Sequence, residues 1–137
     1  MPEWTCPDCQ RTFGRRNAGH TCAPMMSLEE WLETSPDHER PVAEKLIDLV
    51  GYLPDARIEP VQVGLFIKRS SNFAQLRTMT KWSSFTIKLG REVPRPAPDR
   101  KIQRMGSRFF HTYNLHRPED LTETLAELLG EAYDFDE

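Results

Sequence analysis

The chain has 137 residues, of which 38% are hydrophobic and 28% charged, and its net charge is −3. That length allows one domain of ordinary size, or a smaller one carrying a small module. No run of about 18 apolar residues is present, which excludes a transmembrane helix, and the absence of an apolar signal core near the N-terminus makes the cytoplasm the expected compartment.

Charge is segregated along the chain. Residues 1–24 carry +1, residues 25–56 carry −6, residues 57–110 carry +9 and residues 111–137 carry −7. A basic centre of this strength fits an electrostatic footprint for nucleic acid or another polyanion. The competing reading is acidic helices packed beside a basic sheet, so that the fields cancel within the molecule.

All three cysteines lie in the first 22 residues. Three thiols cannot all pair, and their crowding points to a metal site in a reducing compartment. Cys6-Pro7-Asp8-Cys9 is followed after ten residues by His20-Thr21-Cys22. The Cys-x2-Cys spacing brings two thiolates to one side of a tight turn, and His20 and Cys22 complete a closed tetrahedral Zn²⁺ site. Four protein ligands leave no open position, so one structural ion is expected from Cys6, Cys9, His20 and Cys22. The alternative is unrelated cysteines or a redox pair at Cys6 and Cys9. Phe13 is placed to plug so small a fold, which cannot hold itself without metal. Residues 1–24 are thus read as a CCHC zinc finger.

Residues 25–35 read as a short helix and connector, with Ser27 and Glu30 as a capping box. Residues 36–137 read as an α+β domain. Ser35-Pro36 signals a helix start, and Val42, Leu46, Leu49, Val50 and Leu53 recur at helical spacing over 36–53. From Val61 to Ile67 the period changes to two, which predicts a strand. Ser70-Ser71-Asn72 is a turn, and Phe73–Thr80 and Ser83–Leu89 follow as further strands. Residues 90–106 hold three prolines and several basic residues, and read as a long loop. Phe109, His111, Tyr113 and Leu115 mark a fourth strand. Pro118-Glu119-Asp120 opens a last helix lined by Leu121, Leu125, Leu128, Leu129 and Ala132. The expected fold is an antiparallel sheet of about four to five strands with helices on one face, preceded by the finger module. The expected core comprises Leu46, Leu49, Val63, Leu65, Ile67, Leu76, Phe85, Ile87, Leu125 and Leu129.

The pattern from Trp4 through Cys6-Pro7, Cys9, Arg11, Phe13, Arg15, Asn17, His20 and Cys22 resembles the finger that opens many small bacterial proteins, where it precedes an uncharacterised domain. Phe66-Ile67-Lys68, Asn72-Phe73-Ala74, Leu115, Pro118-Glu119-Asp120-Leu121 and Glu131-Ala132-Tyr133 resemble that domain. Similar domains occur at the C-terminus of predicted restriction-type endonucleases, an association that implies nucleic acid by analogy.

No nuclease motif, phosphate-binding glycine loop or nucleophile elbow is present, so the sequence leans away from an enzyme. The leading expectation is a nucleic-acid-binding protein for DNA or RNA. Its contacts would be Arg11, Arg15 and Arg16 in the finger and Lys68, Arg77, Lys88, Arg91, Arg104 and Arg108 beyond it, with Arg69, Lys81, Arg95, Arg100 and Lys101 widening the set. Strand alternation turns Lys68, Arg77 and Lys88 away from the core, where Phe66 and Phe73 could add stacking. A second reading is a protein-interaction adaptor using the finger and the acidic tail. A third is a small-molecule or enzymatic site around Arg108, His111 and Tyr113, with Glu59. There the competing view is that these are exposed residues at a sheet edge.

Overall fold

The computed structural model describes residues 3–7, 12–13 and 26–136. Two short strands, β1 (Trp4–Thr5) and β2 (Thr12–Phe13), pair antiparallel, with Trp4 opposite Phe13. Helices α1 (Leu28–Thr34) and α2 (Arg40–Val50) follow. Six strands then form one antiparallel sheet: β3 (Arg57–Val61), β4 (Gly64–Lys68), β5 (Asn72–Thr78), β6 (Ser83–Leu89), β7 (Gln103–Met105) and β8 (Arg108–Leu115). Their spatial order is β3-β4-β5-β6-β8-β7. A 3₁₀ turn at Pro118–Asp120 leads to α3 (Glu123–Phe135). The fold is α+β, with six large-sheet strands rather than four to five.

The helix boundaries follow from their caps. Ser27 Oγ accepts the Glu30 N–H at 3.1 Å and starts α1. The predicted start of α2 at Pro36 is displaced, because Glu39 and Arg40 both donate to the Pro36 carbonyl in a turn. Pro41 occupies the first turn of α2 instead, where its missing N–H costs nothing. Thr122 Oγ1 accepts the Leu125 N–H at 3.2 Å and starts α3.

The segment read as a single strand over 61–67 is a hairpin. Val61 pairs with Gly64 across a two-residue connection, Gln62-Val63. Val63 therefore leaves the expected core and is 49% exposed. Pro60 lies in the edge strand, where proline is tolerated; its carbonyl takes the Met26 N–H at 2.8 Å.

Cross-strand register defines the inner face. Ile58, Ile67, Ala74, Ile87 and His111 form one row, and Leu65, Leu76, Phe85 and Tyr113 form another. These rows join Trp31, Val42, Leu46 and Val50 of α1 and α2, and Leu125, Leu129 and Ala132 of α3, in a single core. Leu49 is only partly buried. At the start of β5 the register slips by one residue, so that Lys68 pairs with Asn72. The extra residue, Phe73, is fully buried and meets Tyr133 of α3 edge-on at 5.8 Å. Bulges re-aim side chains in this way.

Candidate nucleic-acid interface

The opposite, outer face of the sheet carries the polar residues of the same strands. Arg77, Ser84 and Asn114 form one cross-strand row. Phe66, Gln75, Thr86 and Thr112 form the next. Lys88, Phe110 and Gln103 form a third. Over these rows lies a cleft of about 720 Å³, within the size range of ligand sites. A smaller hollow of about 280 Å³, lined by Val63 and Phe66, shares Gln75 and Arg77 with it.

The loop after β6 builds the far rim. It is strapped to β8 at three points. His111 Nε2 accepts the Val93 N–H at 2.9 Å. Tyr113 donates to the Pro96 carbonyl at 3.0 Å. Asp99 N–H reaches the Thr112 carbonyl at 2.8 Å, and the Asp99 carboxylate takes the Asn114 N–H at 2.7 Å. The chain thus passes from the inner face around β8, and Arg100 and Lys101 arrive at the cleft. No carboxylate is among the residues that line it.

The predicted cations divide into two groups. Lys68 and Lys88 stand on outward positions, yet both heads are buried. Lys68 Nζ meets Glu59 at 2.9 Å and donates to the Thr12 carbonyl at 2.8 Å. Lys88 Nζ lies 2.7 Å from Asp136 Oδ1 and 2.8 Å from Ser71 Oγ. Asp136 also accepts the N–H groups of Ser70 and Ser71 and the Ser71 hydroxyl. Burial alone would raise the Asp136 carboxyl, but hydrogen bonds from Lys88 and Ser71 outweigh it and hold the group below its ordinary value.

Arg91 pairs with Glu131 at 2.8 Å on the surface; hydrogen bonding from Arg91 lowers the Glu131 carboxyl. Arg104 lies opposite Phe109, with its guanidinium 5.5 Å from that ring, on the face away from the cleft. Arg108 is exposed at the β7–β8 hairpin opposite Met105. Arg77, Arg100 and Lys101 are exposed, line the cleft and make no ion pair with a described residue. They are the uncompensated charges of the site. Phe73, expected to stack, belongs to the core; Phe110 takes its place on the outer face. Ser84, Thr86, Phe110 and Thr112 were missed by sequence reasoning, although alternation through β6 and β8 would have placed them outward.

A family model for a domain of unknown function, DUF5655, matches residues 29–136. The chain belongs to that family. The DUF5655 match takes in the whole six-stranded sheet with its helices, and begins after the cysteine segment. No curated protein and no solved structure gives a significant match.

The alternative cluster around Arg108, His111 and Tyr113 is not assembled in the DUF5655 domain. His111 and Tyr113 are buried on the inner face, Arg108 is exposed, and Glu59 is spent on Lys68. β8 is also an interior strand, flanked by β6 and β7, rather than an edge. Burial lowers the His111 imidazole and raises the Tyr113 phenol, as expected for groups held neutral.

Of the finger residues, Cys9, Arg11, Arg15, Arg16, His20 and Cys22 lie outside the described residues. Cys6 is described and is 3% exposed. Among the described residues no three His, Cys, Asp or Glu side chains gather for a metal, and no helix is long and apolar enough to cross a membrane.

Proposed function

We propose that this protein binds single-stranded nucleic acid in the outer-face cleft, with the finger as a second contact. The observation that carries the reading is the cleft itself: three cations without acidic partners, Arg77, Arg100 and Lys101, surround polar rows bordered by Phe66 and Phe110. Unpaired cations attract phosphates, and aromatic faces on a sheet stack unpaired bases. A cleft of this volume suits a short unpaired segment. The likeness to domains that follow predicted restriction-type endonucleases points the same way.

The finger reading is supported by its donor set and by its position. β1 and β2 flank residues 6–11, which include Cys6 and Cys9, and Cys6 is already buried. Cys6, Cys9, His20 and Cys22 would hold one Zn²⁺, whose role is to fold the segment. Thr12 sits against Lys68, which pairs with Asn72 at the end of the cleft. Arg11 is the residue next to Thr12, so its Cα lies about 3.8 Å from that contact.

Titration of labelled single-stranded oligonucleotides at several salt concentrations tests the reading. Micromolar binding with a steep salt dependence is expected. The triple variant R77A/R100A/K101A should bind at least about tenfold more weakly and reduce the log–log salt slope by about 2. Binding that ignores both salt and the triple variant would reject this interface and favour the adaptor reading.

A further inference from the structure

We propose that the floor of the cleft reads a ribose 2′-hydroxyl, so that the site takes single-stranded RNA in preference to DNA; this rests on the nucleic-acid reading above. Ser84 lines the cleft, is only 7% exposed, and its Oγ has no hydrogen-bond partner in the structure. Its cross-strand neighbour Asn114 has a buried carbonyl oxygen, Oδ1, in the same condition. Buried polar groups are nearly always partnered, so two adjacent exceptions beside a cleft mark a place for a ligand group. Directly opposed residues hold their Cβ atoms about 5 Å apart, close enough for one ligand atom to serve both.

The chemistry of the pair selects that group. Asn114 Oδ1 needs a donor, whereas the Ser84 hydroxyl can donate or accept. A phosphodiester has no donor and would have to shed its water beside neutral groups, at high cost. Its natural partner is the exposed guanidinium of Arg77, the other cross-strand neighbour of Ser84. The ribose is the next unit of the chain after the phosphate. Its 2′-hydroxyl donates to Asn114 and accepts from Ser84 at once, and deoxyribose has no such group. Ser84 is accordingly a specificity-determining residue, while Arg77 supplies sequence-independent attraction.

The test compares the zinc-loaded full chain with RNA, DNA and 2′-O-methyl RNA of one sequence by fluorescence anisotropy. RNA should bind about fivefold to tenfold tighter than either of the others, the yield of one to two hydrogen bonds. Ser84→Ala should lower RNA affinity to the DNA level, with thermal unfolding run beside it to verify the fold. Equal affinity for RNA and DNA would overturn the inference and leave the nucleic-acid reading standing. So would 2′-O-methyl RNA binding as well as RNA, since the methyl ether cannot donate. Failure of all three oligonucleotides to bind would overturn both. The three-oligonucleotide comparison uses the unmodified protein and does not depend on the variant folding.

Discussion

His111 is fully buried on β8, and its role is set by one nitrogen. Nε2 accepts the Val93 N–H, and Nδ1 lies 3.1 Å from the Phe109 carbonyl. Only the neutral ring can do both, because protonation turns Nε2 into a second donor facing an N–H. Burial accordingly depresses the folded-state pKa below the ordinary value of 6.5. The unfolded chain then binds the proton more readily, so the contribution of His111 is complete above about pH 6.5 and is lost as pH falls through the folded-state value. Urea unfolding across pH 5 to 8 should show stability declining below pH 6.5. His111→Gln should flatten that decline relative to the parent chain. A parallel pH profile in the variant would show that other groups cause it. Burial of His111 was legible in part: the alternation of 109, 111, 113 and 115 is in the sequence. What was not legible is that residues 103–105 add a strand outside β8 and convert an expected edge into an interior position.

At the level of elements, the β3–β4 hairpin shows where periodicity misleads. A two-residue connection preserves the phase of an alternating pattern, so Val61, Val63, Leu65 and Ile67 read as one strand although the chain reverses at 62–63. Gly64 carries the geometric signal. Its φ is +155°, and a Cβ there would stand 2.0 Å from the Leu76 carbonyl oxygen of β5. Backbone, not a mobile side chain, is in the way. Gly64→Ala should therefore cost at least about 2 kcal/mol in chemical unfolding, and a neutral outcome would mean that the strand shifts freely. The start of α2 is another element joined to the sheet by a feature that sequence conceals. Glu39 is 1% exposed, and its two carboxylate oxygens accept the hydroxyls of Thr78 at 2.9 Å and Ser83 at 3.1 Å. It ties the β5–β6 connection to the helix. Glu39→Ala leaves both hydroxyls without acceptors and should cost about 1–3 kcal/mol. A glutamate in the first turn of an acidic helix looked like solvated charge, and only the tertiary fold shows that it is a buried acceptor.

Across the whole molecule, both expectations about charge hold in part. Of the twelve basic residues between 57 and 110, four pair with described acids: Arg57 with Glu3, Lys68 with Glu59, Lys88 with Asp136 and Arg91 with Glu131. Cancellation within the molecule is thus real, and it spares the cleft. Two of the four pairs bear on the finger. Glu3 meets Arg57 at 3.2 Å on the surface, and Thr12 caps the buried Lys68. The surface pair is worth little, and Lys68 retains Glu59 if Thr12 leaves. The domain is therefore expected to stand without the finger, whereas a segment of about 24 residues does not stand without metal. Chelation should accordingly open the chain at Arg11, Arg15 and Arg16 to trypsin while a fragment spanning the DUF5655 domain persists, and Zn²⁺ should restore protection. Its thermal midpoint should move by only a few degrees, because the loss amounts to one carbonyl contact and one exposed ion pair. Continued protection at Arg15 and Arg16 in chelator would show that the cysteine segment is not held by metal. Loss of the whole domain would show that the Lys68–Thr12 contact supports the sheet itself.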